Sequence, residues 1–146
     1  MLKKTITYTD WNGTERTEDF YFNLTRAEIL ELEYKIIPGQ SLSDSIQTLI
    51  QSQDMGKIIE TIKLILLASY GEKSADGKRF VKNDDIRAAF EQNPAFDTLY
   101  MSLVTDAEYA AEFVAGIMPA AIRDELGSNP KAAIMDRASS MAKLNN

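Results

Sequence analysis

The apolar residues of this chain keep one period up to Phe22 and another from Thr25 onward, and that single switch limits the folds open to it. Ile6 and Tyr8 alternate with Thr5, Thr7 and Thr9, a period of two in β-forming residues. Asn12-Gly13 then supplies the positive φ values that tight hairpin turns need. On the return, Glu15, Thr17 and Asp19 point one way, while Phe20 and Phe22 face a core with Tyr21 on the other side. A two-stranded ribbon is marginal alone and must pack on the rest of the chain. From Thr25 that remainder has helical spacing. The expected fold is α+β, predominantly α-helical, with an N-terminal β-hairpin packed on a bundle of about six to seven short helices.

The helices carry their own start and stop signals. Thr25-Arg26-Ala27-Glu28 is a capping box, in which hydroxyl and carboxylate satisfy each other's free backbone N–H groups. The first helix is expected to set Ala27, Leu30, Tyr34 and Ile37 on one face, with Leu24 as a staple, before Pro38-Gly39 ends it. Ser41 or Ser43 starts a second, carrying Leu42, Ile46, Leu49 and Ile50. Asp54 caps a third that runs to about Tyr70 and stops at Gly71. Its apolar residues, from Ile58 and Ile59 through Ile62 to Leu67, cover most of the circumference, which predicts a helix central to the fold.

Residues 71–83 read as a polar connection turning at Asp76-Gly77, with Phe80 and Val81 as a short extended piece. Asn83 caps a helix through Ile86, Ala89 and Phe90, and Pro94 suits the first position of the next. That helix presents Phe96, Leu99, Tyr100, Leu103 and Val104. Thr105-Asp106-Ala107-Glu108 reads as a second capping box, followed by Ala107, Ala110, Ala111 and Val114 on a narrow face suited to close helix packing. Met118-Pro119 ends or kinks this helix. Residues 1–126 are expected to form a single globular domain, comprising a hairpin over 1–22 and a helical part over 25–126. After the Gly127-Ser128-Asn129-Pro130 break, residues 127–146 are expected to form a loosely attached C-terminal helix or tail.

Composition removes most chemistry. The chain has no cysteine and no histidine, so disulfides, thiolate metal sites and Ser–His or Cys–His catalysis are excluded. Paired carboxylates at Asp84-Asp85, or Asp106 with Glu108, remain, but acids at helix starts are favoured by the macrodipole alone. Aligning Gly77 with the glycine of an EF-hand loop places Asn83 where calcium needs a bidentate glutamate, with Arg79 and three lysines nearby. That stretch reads as a loop. No catalytic residue, metal ligand or cofactor site is expected. The net charge of −6 opposes nucleic-acid binding, although Lys73, Lys78, Arg79 and Lys82 form a small basic island. No apolar run approaches the ~20 residues of a membrane span, and Met1-Leu2-Lys3-Lys4 leads into no apolar signal region, so a cytosolic setting is expected.

Four residues stand out as partner-binding candidates. Trp11, near the hairpin tip, suits an interface anchor, or it folds back onto Tyr21. Ile134, Met135 and Met141 lie on a thin terminal stripe, and methionine adapts to permissive protein surfaces. A docked terminal helix is the other reading of that stripe.

The stretch Lys4-Thr5-Ile6-Thr7-Tyr8-Thr9-Asp10, leading through Asn12-Gly13 to Arg16-Thr17-Glu18-Asp19-Phe20-Tyr21-Phe22-Asn23-Leu24-Thr25, resembles the opening of tail assembly chaperones from long-tailed, siphovirus-type bacteriophages. Tyr70-Gly71-Glu72-Lys73-Ser74 with Asp76-Gly77-Lys78-Arg79-Phe80 is similar to the same family's mid-chain stretch. So is Thr105-Asp106-Ala107-Glu108 with Phe113-Val114 and Gly116-Ile117, and beyond Pro119 the resemblance fades. The resemblance implies a non-enzymatic protein of the host cytoplasm. Its expected partner is the tape measure protein, kept soluble while tube subunits polymerise around it. A longer frameshifted form would engage the tail tube protein. The alternative is a structural tail or head–tail completion protein retained in the virion. Neither nucleic acid nor membrane is an expected partner, and a homo-oligomer stays open.

Overall fold

The computed structural model describes residues 1–119. Within them the order is β1 (Leu2–Thr9), β2 (Glu15–Phe22), α1 (Arg26–Ile36), α2 (Leu42–Ser52), α3 (Met55–Ser69), β3 (Tyr70–Lys73), β4 (Phe80–Val81), α4 (Asp84–Glu91), α5 (Pro94–Thr105) and α6 (Ala107–Ile117). The architecture is the α+β, mainly helical one that the change of period implies. The four strands form one antiparallel sheet in the order β1-β2-β3-β4.

The hairpin forms, with Leu2 opposite Phe22 and Thr9 opposite Glu15. Its connection is wider than a two-residue turn. Gly13 takes φ +82° while Asn12 keeps a negative φ, and the Asp10 N–H donates to the Thr14 carbonyl at 2.8 Å. This leaves a three-residue tip with glycine in the left-handed position. The Asp10 carboxylate accepts from the Asn12 and Thr14 amides, each at 2.9 Å, and from Arg16 Nε at 2.6 Å. Arg16 and these amides hold Asp10 below the usual carboxylate range.

The sheet extends past the hairpin because β2 has a second edge to satisfy. Sequence reading carries the third helix to about Tyr70, but the structure ends α3 at Ser69 and pairs Tyr70 with Phe22 and Gly71 with Tyr21. Gly71 is needed there. A Cβ at this position would lie 2.8 Å from the Phe80 ring of the neighbouring strand.

The core gathers where the inner face of the sheet meets α4, α5 and α6. Phe22 is fully buried, with ring centroids of Phe113, Tyr70 and Phe90 at 5.2, 5.6 and 5.7 Å. Phe90 stacks on Tyr70 at 4.1 Å and meets Phe96 edge-on at 5.4 Å. Such aromatic contacts each add about 0.5–1.5 kcal/mol beyond area burial. The Tyr70 hydroxyl is pushed up to about 12, first by burial and then by Glu72, so it stays neutral.

Two helical faces differ from expectation. In α1 the buried residues are Ile29 and Leu32, while Leu30 and Tyr34 are 57% and 67% exposed. The helix carries two apolar stripes of equal spacing, and the core took the one holding Ile29 and Leu32. In α3 only the C-terminal half is buried, through Ile65, Leu66 and Ser69. Met55 and Ile59 are exposed, so the helix is not central along its length.

One ion pair ties the sheet to α1. Lys82, just after β4, has only 9% of its side chain exposed. Its Nζ donates to the Asn23 carbonyl at 2.6 Å and to Glu28 Oε2 at 2.7 Å. Glu28 also closes the capping box with Thr25. Burial pushes Glu28 up, but the bonds from Lys82 and Thr25 outweigh it and hold Glu28 below its ordinary range. Burial pulls the Lys82 ammonium below the usual lysine range. Lys82→Met is expected to cost about 2 kcal/mol, since it leaves the part-buried Asn23 carbonyl without its donor and the Glu28 carboxylate without its cation. A depressed carboxylate stabilises the fold above its unfolded value, and that stability is lost as pH falls through the folded one. Chemical denaturation across pH 3–6 should therefore show a shallower acid loss in Lys82→Met than in the parent; parallel curves would contradict the pairing.

Candidate functional site

The exposed half of α3 does not stand alone. Ser41 caps α2, and at its far end Gln53 adopts φ 55°, a left-handed stop that reverses the chain into α3. Asp54 caps α3 by accepting the Lys57 amide at 3.2 Å. The end of α2 and the start of α3 therefore lie side by side, and Ile50 and Met55 are 41% and 55% exposed there. Opposite them, α5 runs into α6 with Asp106 serving both as C-cap of the first and N-cap of the second. Asp106 Oδ1 accepts the Glu108 and Tyr109 amides, each at 3.1 Å. Thr105 is not the cap read from the sequence. It is the last residue of α5, and its hydroxyl donates to the Met101 carbonyl at 2.6 Å. Asp106 is better placed for capping because its carboxylate reaches two amides at once.

Between these walls lies a groove of about 260 Å³. One wall is Ile46, Leu49 and Ile50 of α2 with Met55, Ile58 and Ile62 of α3; the other is Val104 of α5 with Ala107, Ala110 and Ala111 of α6. Ile65, Leu103 and Val114, all buried, reach it from the core. The alanine face of α6 is thus not packed closely by another helix of the described residues. Its small side chains leave the space. The Tyr100 hydroxyl braces the far side by donating to the Ile59 carbonyl at 3.1 Å.

Every lining side chain except Thr61 and Thr105 is apolar, and no ionisable group lines the groove. Such a surface removes apolar side chains from water, at about 1.5–3 kcal/mol for each one fully buried. It offers no general acid or base.

The ionisable groups lie elsewhere. Asp84 is in solvent in the first turn of α4, 3.6 Å from Arg87, and Asp106 is committed to capping. The Asp76 carboxylate accepts the Ser74 hydroxyl at 2.6 Å and the Lys78 amide at 3.0 Å, so the glycine-containing stretch is a hairpin turn. Among the described residues no group of three or more acidic, cysteine or histidine side chains is placed to hold a metal.

Trp11 does not line the groove. It is 83% exposed at the hairpin tip, and its indole N–H donates to the Gln92 carbonyl at 3.1 Å. Tyr21, the alternative resting place for that ring, instead has the Lys73 ammonium 4.2 Å above it. Ile134, Met135 and Met141 lie outside the described residues. Sequence reasoning missed the groove as a site, although its signals were present: a helix too apolar for one buried face, and an alanine stripe.

A family model described as phage tail assembly chaperone matches residues 1–145, well past the point where the recognisable motifs stop. No curated protein and no solved structure matches the chain.

Proposed function

The chain belongs to the phage tail assembly chaperone family, and from that premise we propose that it binds apolar helical segments of the tape measure protein and keeps them soluble during tail assembly. The observation that carries this reading is the uncharged groove between α2–α3 and α5–α6. An amphipathic helix laid in such a groove exchanges water for apolar contact on one face. The action is non-enzymatic and takes place in the host cytoplasm; no helix among the described residues is long and apolar enough to cross a membrane. A longer frameshifted form engaging the tail tube protein fits the same scheme.

Co-expression with the tape measure protein is the direct test. Soluble client that co-purifies with the chain is expected, whereas unchanged client solubility with no co-purification would defeat the proposal. The competing reading, a structural tail or head–tail completion protein, requires stoichiometric retention in purified virions, which quantitative mass spectrometry reads. A chaperone should be absent or substoichiometric.

A further inference from the structure

A segment of the same chain is a nearer candidate for the groove than any client. Residues 120–146, outside the described part, include Ile134, Ala138 and Met141 at helical spacing, with Met135 and Ala142 beside them. We infer that this stripe sits in the groove of its own chain when no client is bound and is displaced when one arrives. The displacement, though not the occupancy, rests on the client reading above.

Three observations converge on residues 131–144 as the occupant. The first is charge. The elements bordering the groove and their caps carry Asp44, Asp54, Glu60, Asp97, Asp106, Glu108 and Glu112 against Lys57 and Lys63, and Lys63 is already paired with Glu91 at 2.7 Å. The segment 131–144 carries Lys131, Arg137 and Lys143 against Asp136 alone. The bordering elements thus carry a net negative charge, a field that draws a basic segment toward them.

The second is reach. Residues 118–130 separate the end of α6 from Lys131, a length that extends to about 40 Å at ~3.3 Å per residue. The groove runs beside the first turns of α6, and that 11-residue helix is only about 16 Å long at ~1.5 Å per residue. The chain can therefore fold back over its own α6 with length to spare.

The third is tethering. A segment linked this closely is presented at an effective concentration on the order of millimolar. A second copy at micromolar concentration offers the same stripe about a thousandfold more dilutely. The segment of the same chain therefore takes the site first, and the apolar groove is covered until a client with more apolar surface competes for it.

The absence of cysteine makes the test clean, because introduced pairs are unique reporters in the full chain. Ile50→Cys with Met141→Cys places one thiol at the groove mouth and one on the stripe. Thr14→Cys with Met141→Cys is the control, since Thr14 lies in the hairpin connection away from the groove. Under mild oxidation of dilute protein, the groove pair should close an intramolecular disulfide at least tenfold faster than the control. Equal rates, or cross-links recovered only as dimers, overturn the inference.

Independently, Ile134→Asp with Met141→Asp should raise the fluorescence of the apolar dye anilinonaphthalene sulfonate at least threefold, with the circular dichroism spectrum kept. An unchanged dye signal also overturns it. If the disulfide forms and the dye signal rises, yet neither form holds the tape measure protein soluble, the client reading fails and the occupancy stands. If the client is held but the groove pair closes no faster than the control, the occupancy fails and the client reading stands.

Discussion

Phe22→Ala is expected to lower the unfolding free energy by about 4 kcal/mol, the cost of removing a buried phenylalanine whose cavity its neighbours cannot fill. Phe22 is fully buried and pairs in the sheet with Leu2 on one side and Tyr70 on the other. Its ring lies near three others, from β3, α4 and α6, and those rings are held by backbone elements that cannot all collapse inward. Natural domains have only about 5–15 kcal/mol to lose, so the variant should be close to unfolding at 37 °C. Urea denaturation followed by far-ultraviolet circular dichroism measures this. Tyr21→Ala, on the opposite side of the same strand, should cost less than half as much. A loss below about 2 kcal/mol for Phe22→Ala would mean that the aromatic cluster is not the hub of the core.

The double variant Ile50→Asp with Met55→Asp is expected to weaken capture of the tape measure protein at least tenfold while leaving the melting temperature nearly unchanged. Both side chains are already exposed, and surface substitutions usually stay within about 0.5 kcal/mol in stability. Binding is another matter. A carboxylate at the groove mouth must lose its hydration when an apolar helix docks, and no cation lines the groove to compensate. Leu30→Asp supplies the contrast. Leu30 is more exposed than either residue and belongs to α1, which does not line the groove, so its substitution should leave capture intact. Equal loss from both substitutions in a pull-down titration would point to general stickiness rather than to this groove.

What could be read from the sequence was local, and what could not be read was relational. Thr25, Asp54 and Asn83 cap helices and Pro94 opens one because such signals need only the next three residues; of Ser41 and Ser43, the two starts offered for α2, Ser41 is the cap. The inward Phe20 and Phe22 follow from alternation alone. Strand β3 was not legible, because Tyr70 and Gly71 become a strand only by pairing with Phe22 and Tyr21, about fifty residues earlier. The burial of Ile29 rather than Leu30 in α1 was likewise not encoded in spacing, which offers both stripes equally. The groove is the furthest from sequence of all, since four helices contribute to it and none declares the gap between them. A surplus of apolar residues in α3, beyond what one face can bury, was its trace.

Asp106 has a mechanical consequence. A single residue closes α5 and opens α6, and its carboxylate is bound to the first amides of α6, so no linker of free residues separates the two helices. They form the shorter-hinged jaw. Any widening to accept a bulkier guest falls to the opposite jaw, where the α2–α3 elbow bends at Gln53 and the Tyr100 hydroxyl acts as a latch on Ile59.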